Sequence, residues 1–498
     1  MTKNPLDTDL QRISGIDAVT RELSRKFAAP ALAVAFLLSM AVWAAFSTAL
    51  QAPLIEIPIA AAMAGYMAIN IGANDVANNM GPVVGARALS MAGALAVAAV
   101  FEASGALLAG EKVVQTIARD LLASAPVDSA DFIRAMLAAL LAGAAWVNLA
   151  TYIRAPVSTT HAIVGGVVGA GIAAGGLGLV SWPVIATIAV TWIVSPIMGG
   201  CFAALFLYIS RRTVTERLDK LAAARVWVPI FVAAMTGTFA LYFVTEAIGG
   251  QWPAPFWLIV CIGPASALVG WVVAMPWIRS QSLRLENRKK QVATLFRLPL
   301  IVSAAFFSFG HGANDVANAV GPLAAIVATL GRESASELGP LPFWVLAIGA
   351  FGIALGLALF GPRLVRTVGD QITRLNEIRA SCAALASAIT VLLASALGLP
   401  VSSTHVAVGA LFGLGFLREA LSRRDMRWSA VPQNSRYVDP SRLNDTPEAA
   451  LAGARELDRR RLVRRRHVYS ILAAWVVTLP AAAILGALAF FALSLVRF

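Results

Sequence analysis

The chain has little charge. Only 13% of its 498 residues are Asp, Glu, Lys or Arg, against 58% hydrophobic, and the mean hydropathy is +0.75. Soluble domains carry about 25% charged residues, so a soluble enzyme is excluded. Cysteine is scarce too: Cys201, Cys261 and Cys382 stand singly in apolar segments. Without paired spacing they read as small buried hydrophobes, and a disulfide or zinc framework is excluded. No Gly-x-Ser-x-Gly elbow surrounds Ser158 or Ser402, which leaves an intramembrane serine hydrolase built on Ser158 with His161, or Ser402 with His405, as a remote alternative.

Long apolar runs are what the sequence has instead. Thirteen blocks stand out: 30–50, 58–86, 88–110, 131–153, 156–178, 182–209, 227–248, 256–278, 298–325, 342–360, 380–397, 400–417 and 467–494. Most approach the roughly 20 residues that cross a hydrocarbon core of about 30 Å. Residues 1–29 are too long and too acidic for the leading region of a signal peptide, so 30–50 reads as a first membrane helix.

The net charge of +13 is concentrated in a few places. Basic residues gather at the N-terminus, around Arg211–Arg225, around Arg279–Arg297, at Arg363–Arg374 and in 418–466, which alone holds 13 arginines. Short basic loops stay on the cytoplasmic side. Placing all five there requires an even number of crossings between neighbours, and the blocks supply six, two, two and two. The topology closes with a cytoplasmic N-terminus and an external C-terminus. The 418–466 segment lacks aromatic interleaving, so it reads as a connector attracted to anionic headgroups, with no nucleic-acid partner.

Two polar strings recur. Gly72-Ala-Asn-Asp-Val-Ala-Asn-Asn-Met-Gly-Pro82 matches Gly312-Ala-Asn-Asp-Val-Ala-Asn-Ala-Val-Gly-Pro322 at nine of eleven positions. Pro156-Val-Ser-Thr-Thr-His161 matches Pro400-Val-Ser-Ser-Thr-His405 at five of six. Asp75 and Asp315 are 240 residues apart, His161 and His405 are 244 apart, and the order is the same. This is an internal duplication. The charge-derived topology runs block 58–86 inward and block 298–325 outward, so the copies are expected to be inverted, the pattern of secondary transporters with a site near the midplane.

The residues suit such a site. Asn74, Asp75 and Asn78, repeated as Asn314, Asp315 and Asn318, fall on one helical face. Acids within membrane blocks mark cavities or ion paths. Gly72, Gly81 and Pro82, with Gly312, Gly321 and Pro322, are expected to unwind their helices and free carbonyls for a cation. In the second string, proline suits a first helical turn. Ser158, Thr159 and Thr160, and Ser402, Ser403 and Thr404, then sit beside free N–H groups at the positive end of a helix, where tetrahedral oxyanions bind; capping alone is the competing role. No Lys or Arg occupies the middle of either Asp-containing block. An anion would therefore need cations on Asp75 and Asp315 to enter. A protonated oxyanion can donate to carboxylates, which are acceptors only; this favours phosphate over sulfate. Glu102, deep in block 88–110 with no basic neighbour, is expected to touch the coupling ion or gate the site. His161 and His405 are open to either a proton relay or simple packing. Arg154 reads as an interfacial anchor.

At these motifs the chain resembles the inorganic phosphate transporter (PiT) family, over roughly 58–417 plus the final helix. The resemblance implies phosphate uptake coupled to Na⁺ or H⁺, with no other cofactor. It assigns substrate and ion roles to Asn74, Asp75, Asn78, Ser158, Thr159, Thr160, Asn314, Asp315, Asn318, Ser402, Ser403 and Thr404. Coupling cations fall to Asp75, Asp315, Asn78, Asn318 and Glu102, the last resembling the family's intramembrane glutamate. The chain departs from the family pattern at Ala384, where Glu or Gln is common, and in its extra N-terminal helix. A sulfate permease of the same fold is the alternative.

The expectation is an all-α polytopic membrane protein of about 12–13 transmembrane helices, in two inverted repeats with broken or re-entrant helices. Its parts are a cytoplasmic segment (1–29), an extra helix (30–50), a first repeat (58–209), connecting helices and basic loops (210–297), a second repeat (298–417), a basic cytoplasmic loop (418–466) and a last helix (467–498). Expected partners are inorganic phosphate and membrane lipids, in a bacterial inner membrane, with a homodimer as an allowed assembly.

Overall fold

The computed structural model describes residues 5–48, 55–122, 128–153, 155, 157–248, 255–330, 341–371, 375–429 and 465–495. Arg154, Pro156 and most of the 418–466 segment lie outside them. Among the described residues regular structure is helical, apart from one antiparallel bridge between Leu122 and Val180.

Each apolar block lies largely within a helix. In chain order these are α1 (Pro5–Thr48), α2 (Glu56–Gly85), α3 (Met91–Ala109), the short α4 (Glu111–Gln115), α5 (Ser129–Tyr152), α6 (Thr159–Gly175), α7 (Trp182–Ser210), α8 (Lys220–Tyr242) and α9 (Phe256–Ser282). After the short α10 (Lys289–Ala293) come α11 (Arg297–Leu330), α12 (Phe343–Leu359), α13 (Gly361–Gln371), α14 (Glu377–Ala396), α15 (Ser403–Ser429) and α16 (Arg465–Ser494). Among the described residues, ten segments are long and apolar enough to cross a membrane, and α6 and α12 are shorter apolar helices. Local chemistry sets several starts: Ser90, Asp219 and Asn376 accept from the backbone N–H three residues on, as N-caps do.

The helices carrying the duplicated acids are not unwound. α2 runs through Gly72, Gly81 and Pro82, and α11 runs through Gly312, Gly321 and Pro322. The glycines serve packing instead. A Cβ on Gly72 would collide with the Ile353 carbonyl, and one on Gly312 with the Glu102 carbonyl. Small residues let membrane helices approach backbone to backbone. The breaks lie in the connections before α6 and α15. Before α15, Gly398 takes a left-handed conformation (φ 67°) two residues past the end of α14, Pro400 follows, and Ser402 accepts from His405 N as α15 begins.

The two copies exchange partners. α2 packs along α12, and α3 along α11. Along the first pair Gly65 meets Ile348, Gly352 meets Ala68 and Gly72 meets Ile353; along the second, Gly312 meets Glu102 and Gly110, just past the end of α3, meets Val316. Sequence numbers rise together in both, so each pair is parallel. The hairpin helices follow suit: α6 packs on α16, and α15 on α7.

One sequence expectation about cysteine is corrected. Cys382 is buried, but Cys201 and Cys261 are exposed on the outside of the bundle. In a chain with this many membrane-spanning helices, an apolar outer surface is solvated by lipid, so exposure there costs a thiol nothing.

Candidate substrate and ion site

Asp75 lies near the middle of α2 and Asp315 near the middle of α11, both with no exposed surface. What surrounds them comes from the tips of two helical hairpins, α5–α6 and α14–α15. Thr159, in the first turn of α6, donates its hydroxyl to Asp75 Oδ2 at 3.0 Å. Ser403, at the start of α15, donates to Asp315 Oδ2 at 3.0 Å. Each acid is thus held by the hairpin of its own copy.

Further bonds cross between copies. Thr404 donates to Asp75 Oδ1 at 3.2 Å, and Asn78 Nδ2 donates to Thr404 Oγ1 at 2.8 Å and to Asp75 Oδ1 at 3.4 Å. Asn318 Nδ2 donates to Thr160 Oγ1 at 3.2 Å, and Thr160 donates on to the Val401 carbonyl at 3.0 Å. The second Asp315 oxygen, Oδ1, is buried with no hydrogen-bond partner.

Sequence reasoning missed the group between the acids. His311 is fully buried, with Nε2 2.9 Å from Asp315 Oδ2 and 3.8 Å from Asp75 Oδ2. Its Nδ1 lies 3.4 Å from Glu102 Oε2, and Asn79 Nδ2 donates to Glu102 Oε1 at 2.8 Å. Glu102 therefore reaches the Asp pair through a histidine. The network has no counterpart in the other copy: the duplication offset puts Ile71 opposite His311 and Ala319 opposite Asn79. Glycine packing puts Ile353 opposite Glu102, since Gly312 meets Glu102 as Gly72 meets Ile353. Comparing the strings only where they agreed passed over this unmatched residue. Its signal was a lone histidine four residues before Asp315, one helical turn away.

Other expected site residues make hydrogen bonds that hold the hairpins in place. Asn74 donates to Thr151 at 3.0 Å, and Asn314 donates to Ser395 at 3.1 Å and to the Leu399 carbonyl at 3.0 Å while accepting from Val401 N. These amides fasten the hairpins to the long helices. The Ser158 and Ser402 hydroxyls accept from His161 N and His405 N at 3.1 and 3.3 Å, as helix caps. The His161 and His405 rings pack edge to face at 4.6 Å between centroids, and His161 also packs against Trp192 at 3.9 Å.

Chemically, the cluster offers hard oxygen ligands and one group able to become positive. Ligand atoms from Asp75, His311 and Asp315 lie within 4.8 Å of one another, compact enough for one cation. Beside them, α6 and α15 present first-turn hydroxyls and the positive ends of their dipoles, the pairing suited to an oxyanion.

Comparison with known proteins agrees. A solved structure titled "The sodium-dependent phosphate transporter" superposes with a TM-score of 0.75 at 31% identity, covering 89% of this chain and all of that one. A Helicobacter pylori protein named "Putative phosphate permease" is 39% identical across 98% of this chain and 99% of its own length. A relative of the same description from Pyrococcus abyssi is 37% identical over 71% of this chain and 86% of its own. The family model described as the phosphate transporter family matches residues 71–486. With most of its length matched and the duplicated acids buried where the two copies meet, the chain is a multi-pass membrane protein of the phosphate transporter family.

Proposed function

We propose that this protein is a secondary active transporter that imports inorganic phosphate by symport with a cation, Na⁺ or H⁺. Its two copies are inverted in the membrane and alternate access around the Asp75–Asp315 site. Thr159, Thr160, Ser403 and Thr404 hold the phosphate, assisted by the capped helix ends. Asp75, Asp315, Asn78 and Asn318 hold the cations, and Glu102 acts through His311. Four groups there can be charged, three of them acids and His311 the fourth. An entering anion therefore needs positive companions, which is the physical basis for coupling.

The observation that carries this reading is the double engagement of Asp75, by Thr159 of its own copy and Thr404 of the other. Movement of one copy against the other changes the second bond and spares the first. Inversion is supported by helix direction: α2 is parallel to α12, and α12 returns along α11 after a short connection. α2 and α11 then point opposite ways. The distribution of basic loops favours a cytoplasmic N-terminus and an external C-terminus in a bacterial inner membrane.

The test is uptake of radiolabelled phosphate into proteoliposomes, with Na⁺ and pH gradients imposed separately. Saturable accumulation driven by one gradient, and resistant to competing sulfate, is expected. Equilibration without accumulation under either gradient would mean a channel, and equal competition by sulfate would mean the alternative permease.

A further inference from the structure

The short helix α4 and the π-helical turn that follows it (Thr116–Asp120) lie across the tip of the α14–α15 hairpin. Glycine contacts fix their place along α11: a Cβ on Gly110 would meet Val316, and one on Gly321 would meet Ile117. Both contacts fall beyond Asp315, toward the C-terminal end of α11. The hairpin tip joins α11 one residue before Asp315, where Asn314 donates to the Leu399 carbonyl at 3.0 Å. Loop charge assigns the C-terminal end of α11 to the outside. α4 is therefore a roof between the Asp75–Asp315 site and the outer face.

Two side chains of this roof hold the tip by its backbone. Lys112 Nζ donates to the Ala396 carbonyl at 3.3 Å, and Thr116 Oγ1 donates to the Gly398 carbonyl at 2.7 Å. Ala396 ends α14, where the last carbonyls lack intrahelical partners and the dipole is negative, so an ammonium is well matched there. The same ammonium forms an ion pair with Glu246, in the π-helical turn (Phe243–Ile248) that ends α8. Lys112 thus joins three separately connected parts: the end of the first copy's α3, the connecting helices and the second copy's hairpin. Shortly after Gly398 come Ser403 and Thr404, whose hydroxyls reach Asp315 and Asp75. A hold on Ala396 and Gly398 is a hold on those hydroxyls. The Lys112 side chain is 56% exposed, and an ion pair so open to solvent contributes little to stability. That suits a contact broken in every cycle better than a permanent anchor.

We propose that Lys112 is a positioning residue of an outer gate: with Glu246 it keeps the α14–α15 tip closed beneath α4, and its release opens the site outward. The proposal rests on the alternating-access reading above. A lysine that merely drew phosphate in from outside would be opposed by Glu246, which repels the same anion. In a latch the two residues act alike, and that difference decides the test.

The test measures phosphate uptake into intact cells expressing the full chain. Lys112→Gln and Glu246→Gln should each lower the KM for external phosphate by about threefold, the size expected when an exposed ion pair no longer suppresses the outward-open form. The maximal rate should fall as well, because the loaded protein closes less readily. Lys112→Arg, and the reversed pair Lys112→Glu/Glu246→Lys, should restore the wild-type KM. A merely structural tie would lower the maximal rate and leave KM unchanged. Attraction of the anion would raise KM in Lys112→Gln and lower it in Glu246→Gln. Either result overturns the gate. Amide hydrogen exchange of the purified chain separates the gate from the transport reading: both Gln variants should exchange severalfold faster at residues 394–401 and at the wild-type rate at residues 158–162 of the other hairpin. If wild-type cells accumulate no phosphate while exchange at 394–401 still quickens in both variants, the transport reading fails and the latch stands. Unchanged exchange there overturns the latch whatever the uptake.

Discussion

Thr404 and Asp75 stand 329 residues apart in sequence, and the threonine hydroxyl donates to the buried carboxylate at 3.2 Å. The same threonine accepts from Asn78 of the helix it reaches, at 2.8 Å. Asp75 thus belongs to both copies at once, and its bonds divide into one kind that moves with its own half and one that does not.

If the acids hold cations, removing their charge while keeping their shape should stop transport. Asp75→Asn and Asp315→Asn are each expected to reduce phosphate uptake to the level of empty liposomes. Gel filtration and thermal melting should remain close to wild type, because an amide still accepts from Thr159 or Ser403. Retained uptake in either variant would remove that acid from the mechanism.

The cross-copy bonds of Thr404, to Asp75 and from Asn78, can be removed together. Thr404→Val deletes a hydrogen bond to a charged acceptor, an interaction of about 1.5–3 kcal/mol, and should weaken apparent phosphate or cation affinity by about tenfold or more. Thr404→Ser keeps the hydroxyl and should recover most of the loss. A defect in Thr404→Ser as large as that in Thr404→Val would show that keeping the hydroxyl does not restore function and would count against the bond.

The parts of the site visible in the sequence were those that the duplication wrote twice. Asp75 with Asp315, and Thr159 with Ser403, occur in matching strings and make matching bonds. The parts that escaped were single. His311 has an isoleucine opposite it, so no repeat announced it, and its partner Glu102 lies on another helix where only folding brings the two together. Glycine misled for a related reason. Gly72 and Gly312 look like helix breakers until the neighbouring backbones that press on them are known. The capping serines show a third limit, since a hydroxyl beside a free N–H group reads the same whether it faces a ligand or only its own helix.

Energetic coupling between His311 and Glu102 follows from their burial. Removing one partner of a buried polar pair leaves the other group unsatisfied, at a cost of about 1–3 kcal/mol. His311→Gln alone should lower the unfolding temperature markedly. Glu102→Gln added to it should cost much less than it does alone, giving a coupling of about 1 kcal/mol or more in a double-mutant cycle. Strict additivity would show that the two do not interact in the folded protein.

The packing role of the motif glycines separates cleanly from any ligand role. A methyl group at Gly72 overlaps the Ile353 carbonyl, whereas one at Gly178 meets nothing within 4 Å. Gly72→Ala should therefore cost about 1–3 kcal/mol of stability through forced helix separation, read as a lower melting temperature and lower yield. Gly178→Ala should melt with the wild type. A stable Gly72→Ala protein with defective uptake would instead place that backbone at the ligand.

Orientation is open to a direct chemical test, because α7 separates two exposed leucines. Leu177 precedes that helix and is 64% exposed, and Leu218 follows it and is 96% exposed, so a single crossing puts them on opposite faces of the membrane. With Cys201 and Cys261, the two exposed native thiols, first replaced by serine, cysteine is introduced at one leucine or the other in intact cells. A membrane-impermeant maleimide should label Leu177→Cys directly and Leu218→Cys only after permeabilisation, since Leu218 lies in the basic Arg211–Arg225 loop that belongs inside. The reverse pattern would turn the whole chain over. The copies would keep their relation to each other.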